Sequence, residues 1–233
     1  MNEDGIEEVE EVDDPRGHRD RLRKRLLKGG PDALLDHELV EFLLTLTIPR
    51  IDTKPIAKRF IKEFGGIGPL LCADGETLMR GGLSERAACA IKIAEAAALR
   101  MLSAQVSDQP ILSSWQALLD YLRADMAHRS VERVRILHLN SKNRLIRDEL
   151  VSEGSIDQAA IHVREVIRRA LDLGSASLIL VHNHPSGDPA PSRQDIELTR
   201  EIVNAGKPLG IVVHDHVVIG DASHSSMRSM GLI

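Results

Sequence analysis

Apolar residues recur at intervals of three or four along the first hundred positions, which is the spacing of an amphipathic helix. The proline after Ile48 and the pair Gly65-Gly66 mark the ends of two such stretches. Ser103–Pro110 is polar and ends in proline, so it is predicted to be a linker. We therefore expect an all-α domain over residues 16–104, with helices at 18–28, 34–45, 53–64 and 85–102.

The pattern changes after residue 110, where short alternating stretches separate the helical ones. A helix is predicted from Ser113 or Ser114 to about Ala127. The following elements are strands at 134–140 and 145–151, a helix at 159–173, a strand at 177–181, a helix at about 193–204, and strands near 209–213 and 216–219. Strands interleaved with helices on this scale predict a compact α/β sandwich over residues 110–233.

Charge is distributed unevenly along the chain. The formal net charge of −5 predicts no general affinity for nucleic acid. Residues 1–14 hold eight acidic side chains and no basic ones, which predicts a disordered acidic tail over residues 1–15. Arg16–Lys28 holds seven basic residues against one acid, Asp20. This basic segment is either a source of phosphate contacts or a solvated helix face.

Two cysteines, Cys72 and Cys89, have a spacing that fits neither a zinc ribbon nor a redox pair, so both are expected to be buried apolar filler in helices. The N-terminus is acidic and lacks the apolar core of a signal peptide. Apolar stretches fall short of the roughly 18 residues of a membrane span. We expect a cytoplasmic protein with reduced thiols and no membrane contact.

The stretch with the clearest chemistry begins directly after the predicted strand 177–181. His182 and His184 are followed by Pro185, and Asp195 lies eleven residues after His184. Ser192 is placed to cap the next helix, which brings Asp195 into its first turn. Two imidazoles and one carboxylate leave a tetrahedral ion one open position for water, as in catalytic zinc sites. The sequence predicts one catalytic Zn²⁺, although these ligand types do not exclude manganese or iron.

The order His-x-His-Pro-x6-Ser-x2-Asp resembles the JAMM motif of the JAB1/MPN metalloprotease fold. The wording Pro-Ser-Gly-Asp-Pro-x-Pro-Ser over 185–192 is similar to the RadC family, whose members are labelled DNA repair proteins. Further stretches share the resemblance, namely 17–22, 36–44, 52–57, 139–143 and 215–216. The resemblance implies a three-layer α/β sandwich of the JAB1/MPN type, a layout similar to that of the cytidine deaminases.

The resemblance also implies roles for individual residues. His182, His184 and Asp195 would hold zinc, and Ser192 would hydrogen-bond near the water and the developing oxyanion. A glutamate upstream would act as general base, and Glu132 has the motif's position just before the first strand. Three other glutamates compete for that role, Glu149, Glu153 and Glu165.

A second His-x-His sequence, His214-Asp215-His216, lies between two predicted strands and has no proline or helical carboxylate after it. We interpret it as structural: a turn, a satisfied polar group in the core, or support for the metal site. In the last case Asp215 would orient a ligand histidine by accepting its remaining N–H.

The N-terminal half contains a candidate DNA-binding element. Leu78–Ile93, with Gly82-Leu83-Ser84 between apolar stretches, resembles a helix-hairpin-helix, in which backbone amides approach a phosphate. Ser84 stands where that motif prefers glycine, which weakens the match, and a plain turn in a helical bundle is the alternative. The candidate DNA contacts are Arg19, Arg21, Arg23, Gly82 and Ser84.

Three classes of function remain open from the sequence. The chain is a zinc hydrolase of peptide or isopeptide bonds, a metal-dependent nuclease, or a non-catalytic DNA-associated module. Its partners are accordingly DNA or a peptide or protein substrate, and the sequence leaves the oligomeric state open. A zinc deaminase is set aside, because that chemistry needs His-x-Glu with a distant Cys-x-x-Cys, whereas this chain reads His182-Asn183-His184 and has no such cysteine pair.

Overall fold

The computed structural model describes residues 15–107, 110–154 and 161–233. The acidic tail was predicted over residues 1–15; its residues 1–14 lie outside the described residues, and Pro15 begins the first helix instead. The described N-terminal half is helical, as predicted. Its helices are α1 (Pro15–Gly29), α2 (Asp36–Thr45), α3 (Lys54–Phe64), α4 (Ile67–Cys72), α5 (Gly75–Arg80) and α6 (Glu85–Ser107).

The C-terminal half combines a mixed sheet with three helices among its described residues. In chain order the elements are α7 (Trp115–Met126), β1 (Arg133–Leu139), β2 (Leu145–Glu153), α8 (Val163–Asp172), β3 (Ser177–Asn183), α9 (Arg193–Gly206), β4 (Val212–Ile219) and β5 (His224–Ser226). The strand order is β2-β1-β3-β4-β5. Strands β3 and β4 are parallel to each other. The other three pairs, β1–β2, β1–β3 and β4–β5, are antiparallel.

Alternation along the strands divides the core between two faces of the sheet. Odd-numbered strand residues such as Ile179 and Val181 pack in one cluster with Leu118 and Leu122 of α7. Even-numbered residues, including Ile136, Leu178 and Leu180, pack against α8 and α9. Helices therefore cover both faces, which gives the three layers that the resemblance implied.

Two strands differ from the sequence prediction. β3 continues through Asn183, so His182 lies inside the strand rather than after it. β4 is one strand across His214 and Asp215, where two separate strands, near 209–213 and 216–219, were predicted. The polar residues interrupt the apolar pattern, but the backbone stays paired with β3 through a register shift beside Leu178.

Helix α6 extends past its predicted end at residue 102 and continues to Ser107, into the segment predicted as a linker. The physical reason is burial, because Val106 is only 1% exposed and belongs to the apolar cluster formed by α7 and the sheet. The helical half has a core of its own around Phe60, Leu70 and Ile91. Cys72 is buried as predicted, but Cys89 is exposed, so the prediction of burial is wrong for that residue. The division into two domains near this segment stays a prediction.

A buried ionic cluster joins the two halves just before Glu132. The guanidinium of Arg129 donates to Glu95 on α6 (2.8 Å), to Asp125 on α7 (3.2 Å) and to the carbonyl of Cys72 at the end of α4 (2.9 Å). All three charged side chains are at most 13% exposed. Charge-assisted bonds of this kind fix the start of the segment that leads into β1.

In the three ranges given above, no helix is both long enough and apolar enough to cross a membrane.

Replacing Val106 by alanine is expected to lower the free energy of unfolding by about 1 kcal/mol, measured by denaturant titration. Alanine is the better helix former, so the loss would come from the packing of Val106 in the apolar cluster of α7 and the sheet. The matched control is Met101→Ala on the same helix, at a side chain that is 70% exposed, which should change stability by less than about 0.5 kcal/mol. Equal effects of the two substitutions would mean that the end of α6 is not anchored in the core.

Candidate metal centre

The carboxyl end of β3 brings two imidazoles together. His182 and His184 are two residues apart, so the pleat directs their side chains to the same face of the sheet, the face covered by α9. Their Nε2 atoms are 2.9 Å apart. His182 is 1% exposed, while the His184 side chain is 16% exposed at the edge of the site.

Asp195 reaches the same point from the first turn of α9. Its Oδ2 atom lies 3.5 Å from Nε2 of His182 and 3.7 Å from Nε2 of His184. Ser192 and Asp195 also form the predicted capping box, in which the Ser192 N–H donates to Oδ2 (2.7 Å) and Ser192 Oγ accepts from the Asp195 N–H (3.1 Å). The cap therefore fixes the carboxylate facing the histidines.

The tautomer of His184 follows from its loop. Its Nδ1 lies 2.8 Å from the carbonyl oxygen of Asp188. Since a carbonyl can only accept, Nδ1 carries the hydrogen, and Nε2 of the neutral ring presents a lone pair to the site.

A longer buried chain sets the tautomer of His182. The Thr199 hydroxyl donates to the carbonyl of Asp195 (2.5 Å), so it accepts from Nδ1 of His216 (2.6 Å). Burial lowers the pKa of His216 well below its ordinary value, which keeps the ring neutral with a bare Nε2. That atom lies 2.8 Å from Nδ1 of His182, so Nδ1 donates and Nε2 of His182 is left with its lone pair.

Three acceptor atoms thus face one another: Nε2 of His182, Nε2 of His184 and Oδ2 of Asp195. Converging lone pairs and a carboxylate charge are stabilised by a divalent cation. Two imidazoles and one carboxylate are a donor set that zinc accepts, so the residues present fit the ion.

Glu132 completes the cluster from the other side. It directly precedes β1, and its carboxylate oxygen, with ring nitrogens of His182 and His184, forms a group whose atoms lie within 4.8 Å of one another. Burial raises the pKa of its carboxyl.

The other candidate glutamates have partners elsewhere. The Glu149 carboxylate pairs with Arg169 (2.8 Å), that of Glu153 with Arg133 (2.7 Å), and that of Glu165 with Arg168 (2.9 Å). Of the four, Glu132 is the one that the structure groups with the histidine pair.

A family model described as "RadC-like JAB domain" matches residues 112–232, just over half of the chain. The chain belongs to the RadC-like JAB family. It is also similar to a curated protein of Rhodobacter capsulatus named "UPF0758 protein", with 47% identity over 213 residues, which covers 91% of this chain and 100% of that protein. The segment matched by the RadC-like JAB model contains Glu132, His182, His184, Ser192 and Asp195.

We expected Asp215 to orient a ligand histidine, but in this RadC-like JAB domain the next residue, His216, contacts His182 instead. Asp215 Oδ1 accepts from the backbone N–H groups of His216 and Arg228, and Oδ2 accepts from the Ser226 hydroxyl. The prediction of a direct contact between Asp215 and a ligand histidine is therefore wrong. Successive side chains of a strand point to opposite faces of the sheet. His216, and not Asp215, therefore lies on the same face as His182.

Sequence reasoning missed two other residues of the site. Thr199 lies four positions after Asp195 on α9, a helical spacing that would have flagged it as a neighbour of Asp195. Gly220 follows β4, and a Cβ atom there would lie 2.3 Å from the carbonyl oxygen of Gly187. Only glycine permits this approach, which holds the loop that carries Asp188 against the end of β4.

The candidate DNA contacts lie in the helical half. Gly82 and Ser84 are in the turn between α5 and α6, where Ser84 Oγ accepts from the Ala87 N–H and so caps α6 (3.3 Å). On α1 the Arg19 guanidinium donates to the carbonyl of Ile51, Arg23 pairs with Asp20, and Arg21 is exposed. Contact of these residues with DNA stays a prediction.

Substituting His216 by phenylalanine should weaken zinc affinity about 10- to 100-fold, because the ring N–H of His182 loses the acceptor that orients it. Isothermal titration with zinc, at a pH where the protein is folded by circular dichroism, measures the change. The control is His214→Phe, since Nε2 of His214 bonds to Asn143 (2.8 Å) rather than to the site. Equal zinc affinity in the two variants would refute the orienting role of His216.

Proposed function

We propose that the protein is a zinc-dependent hydrolase that adds water across a peptide or isopeptide bond, giving a carboxylate and an amine. The observation that carries the proposal is that two carboxylates, those of Asp195 and Glu132, each lie close to the His182–His184 pair. Three ligands and a nearby base suit metal-assisted hydrolysis.

His182, His184 and Asp195 would hold the ion. When bound there, zinc supplies Lewis acidity, which lets a water molecule lose its proton near neutral pH. Glu132 takes that proton while the water attacks the carbonyl carbon, and then delivers it to the leaving nitrogen. The raised pKa of the Glu132 carboxyl suits a group that must accept and release a proton in turn.

Ser192 supports the oxyanion in this scheme. Its Oγ accepts from the Asp195 N–H, so the hydroxyl hydrogen remains available to donate to the carbonyl oxygen as negative charge develops there. Such a donor, fixed in advance, stabilises the transition state more than the ground state.

A nuclease would use the same centre on a phosphodiester. It is favoured by the basic segment Arg16–Lys28, with exposed Arg21 and Arg23 on α1, which suits a phosphate backbone. A non-catalytic DNA-associated module would keep the metal for stability alone. Zinc-loaded protein incubated with a peptide library and with DNA separates the three, with His182→Ala as the control that removes the centre.

The Glu132→Gln variant is expected to lose about 10²- to 10⁴-fold in kcat on a cleaved substrate, because glutamine cannot accept the proton. Zinc content, measured by elemental analysis, should stay near one ion per chain. The matched control is Glu153→Gln. The Glu153 carboxylate at the end of β2 pairs with Arg133 at the start of β1, so the substitution should leave kcat within about threefold.

Full activity of Glu132→Gln would refute the base assignment. Loss of zinc together with activity would show that Glu132 is a ligand instead.

A further inference from the structure

The backbone ladder between β1 and β3 stops before it reaches Glu132. Its last pair at this end is Val134 with His182, whereas Glu132 lies two residues further toward the N-terminus. A residue just outside a sheet ordinarily has more backbone freedom than one within it. A general base must nevertheless be held within a fraction of an ångström of its working position.

The side chain of Asn183 takes the place of the missing ladder. Its Oδ1 accepts from the N–H of Arg133 (2.9 Å), and its Nδ2 donates to the carbonyl of Val131 (3.2 Å). These two backbone groups belong to the peptide units on either side of the Glu132 Cα. One amide side chain therefore fixes both planes that set the direction of the Glu132 side chain.

A third bond holds the same segment from the opposite strand. The N–H of Gly154, at the end of β2, donates to the carbonyl of Glu132 (2.9 Å). The Glu132 backbone is thus tied to β3 on one side and to β2 on the other.

Chemistry restricts position 183 to an amide. The side chain is fully buried, and it must accept from one backbone group while donating to another. Leucine has the same number and branching of side-chain heavy atoms but offers neither function, and a carboxylate would oppose the Val131 carbonyl with a second acceptor. Asparagine satisfies both partners.

We propose that Asn183 is a positioning residue that sets the distance between the general base and the metal ligands. The inference rests on the proposed function, in which Glu132 is the base. Asn183 stands between His182 and His184 in the sequence, so the strand that delivers both ligands also holds Glu132. Any displacement of that strand moves base and ligands together, and their spacing is preserved.

The test compares two substitutions of asparagine by leucine at opposite ends of β1. Asn183→Leu removes the bonds to residues 131 and 133. Asn140→Leu is the matched control, because Asn140 Oδ1 likewise accepts from two backbone amides, those of Lys142 (2.9 Å) and Arg144 (3.1 Å), in the turn between β1 and β2. Hydrogen exchange of individual amides, zinc affinity, kcat and KM are measured for both full-length variants.

In Asn183→Leu we expect the Arg133 amide to exchange at least about tenfold faster, while amides of Ile136 and Leu180 stay protected. Zinc affinity and KM should stay within about threefold, and kcat should fall about 100-fold, the effect of a misplaced catalytic group. Asn140→Leu should leave kcat and Arg133 exchange unchanged. If Asn183→Leu does not fold, Asn183→Ser, which is too short to reach both partners, replaces it.

Two results would overturn the proposal. Unchanged exchange at Arg133 would show that Asn183 does not hold this segment. A fall in zinc affinity as large as that in His182→Ala would show that it acts on the ligands instead. Absence of hydrolysis by the unsubstituted protein would refute the proposed function but not the contact, because the exchange measurement needs no substrate.

Discussion

The candidate metal centre depends on the buried hydrogen bond from Nδ1 of His182 to Nε2 of His216 (2.8 Å). A neutral imidazole can present a lone pair to a cation through only one nitrogen, and the bond at the other nitrogen decides which. Here the direction of that bond is set by Thr199 on α9. Its hydroxyl donates to the carbonyl of Asp195 and therefore accepts from Nδ1 of His216, which leaves Nε2 of His216 free to accept from His182. The same helix carries Asp195, so its placement fixes both a ligand and the tautomer of another ligand.

The pleat of the sheet explains why these groups meet. His182, His184 and His216 occupy positions whose side chains point to the face covered by α9. Glu132 lies four residues before Ile136, an even spacing that places both side chains on the same face along the chain that enters β1. A shift of one residue in the register of β1, β3 or β4 would turn the site residues of that strand to the opposite face and dismantle the site. The apolar cores on both faces therefore hold the register on which the chemistry depends.

The sequence predicted the local parts of the site better than the distant ones. His182, His184 and Asp195 lie on one strand–loop–helix unit, so spacing and capping rules brought them together. Glu132 is fifty residues away and was found through the family resemblance. His216 was recognised only as a structural residue because its polar neighbours made one strand look like two. The length of α6 was underestimated for a similar reason: the polar residues around Val106 concealed a buried contact with α7.

The most direct test of this account is a crystal structure of the zinc-loaded protein with anomalous scattering measured at the zinc edge. We expect one zinc ion at about 2.0–2.2 Å from Nε2 of His182, Nε2 of His184 and a carboxylate oxygen of Asp195, with a water molecule in the fourth position. We also expect the Glu132 carboxylate to lie next to that water. Zinc bound through Nδ1 of either histidine, or a fourth position closed by Glu132 itself, would contradict it.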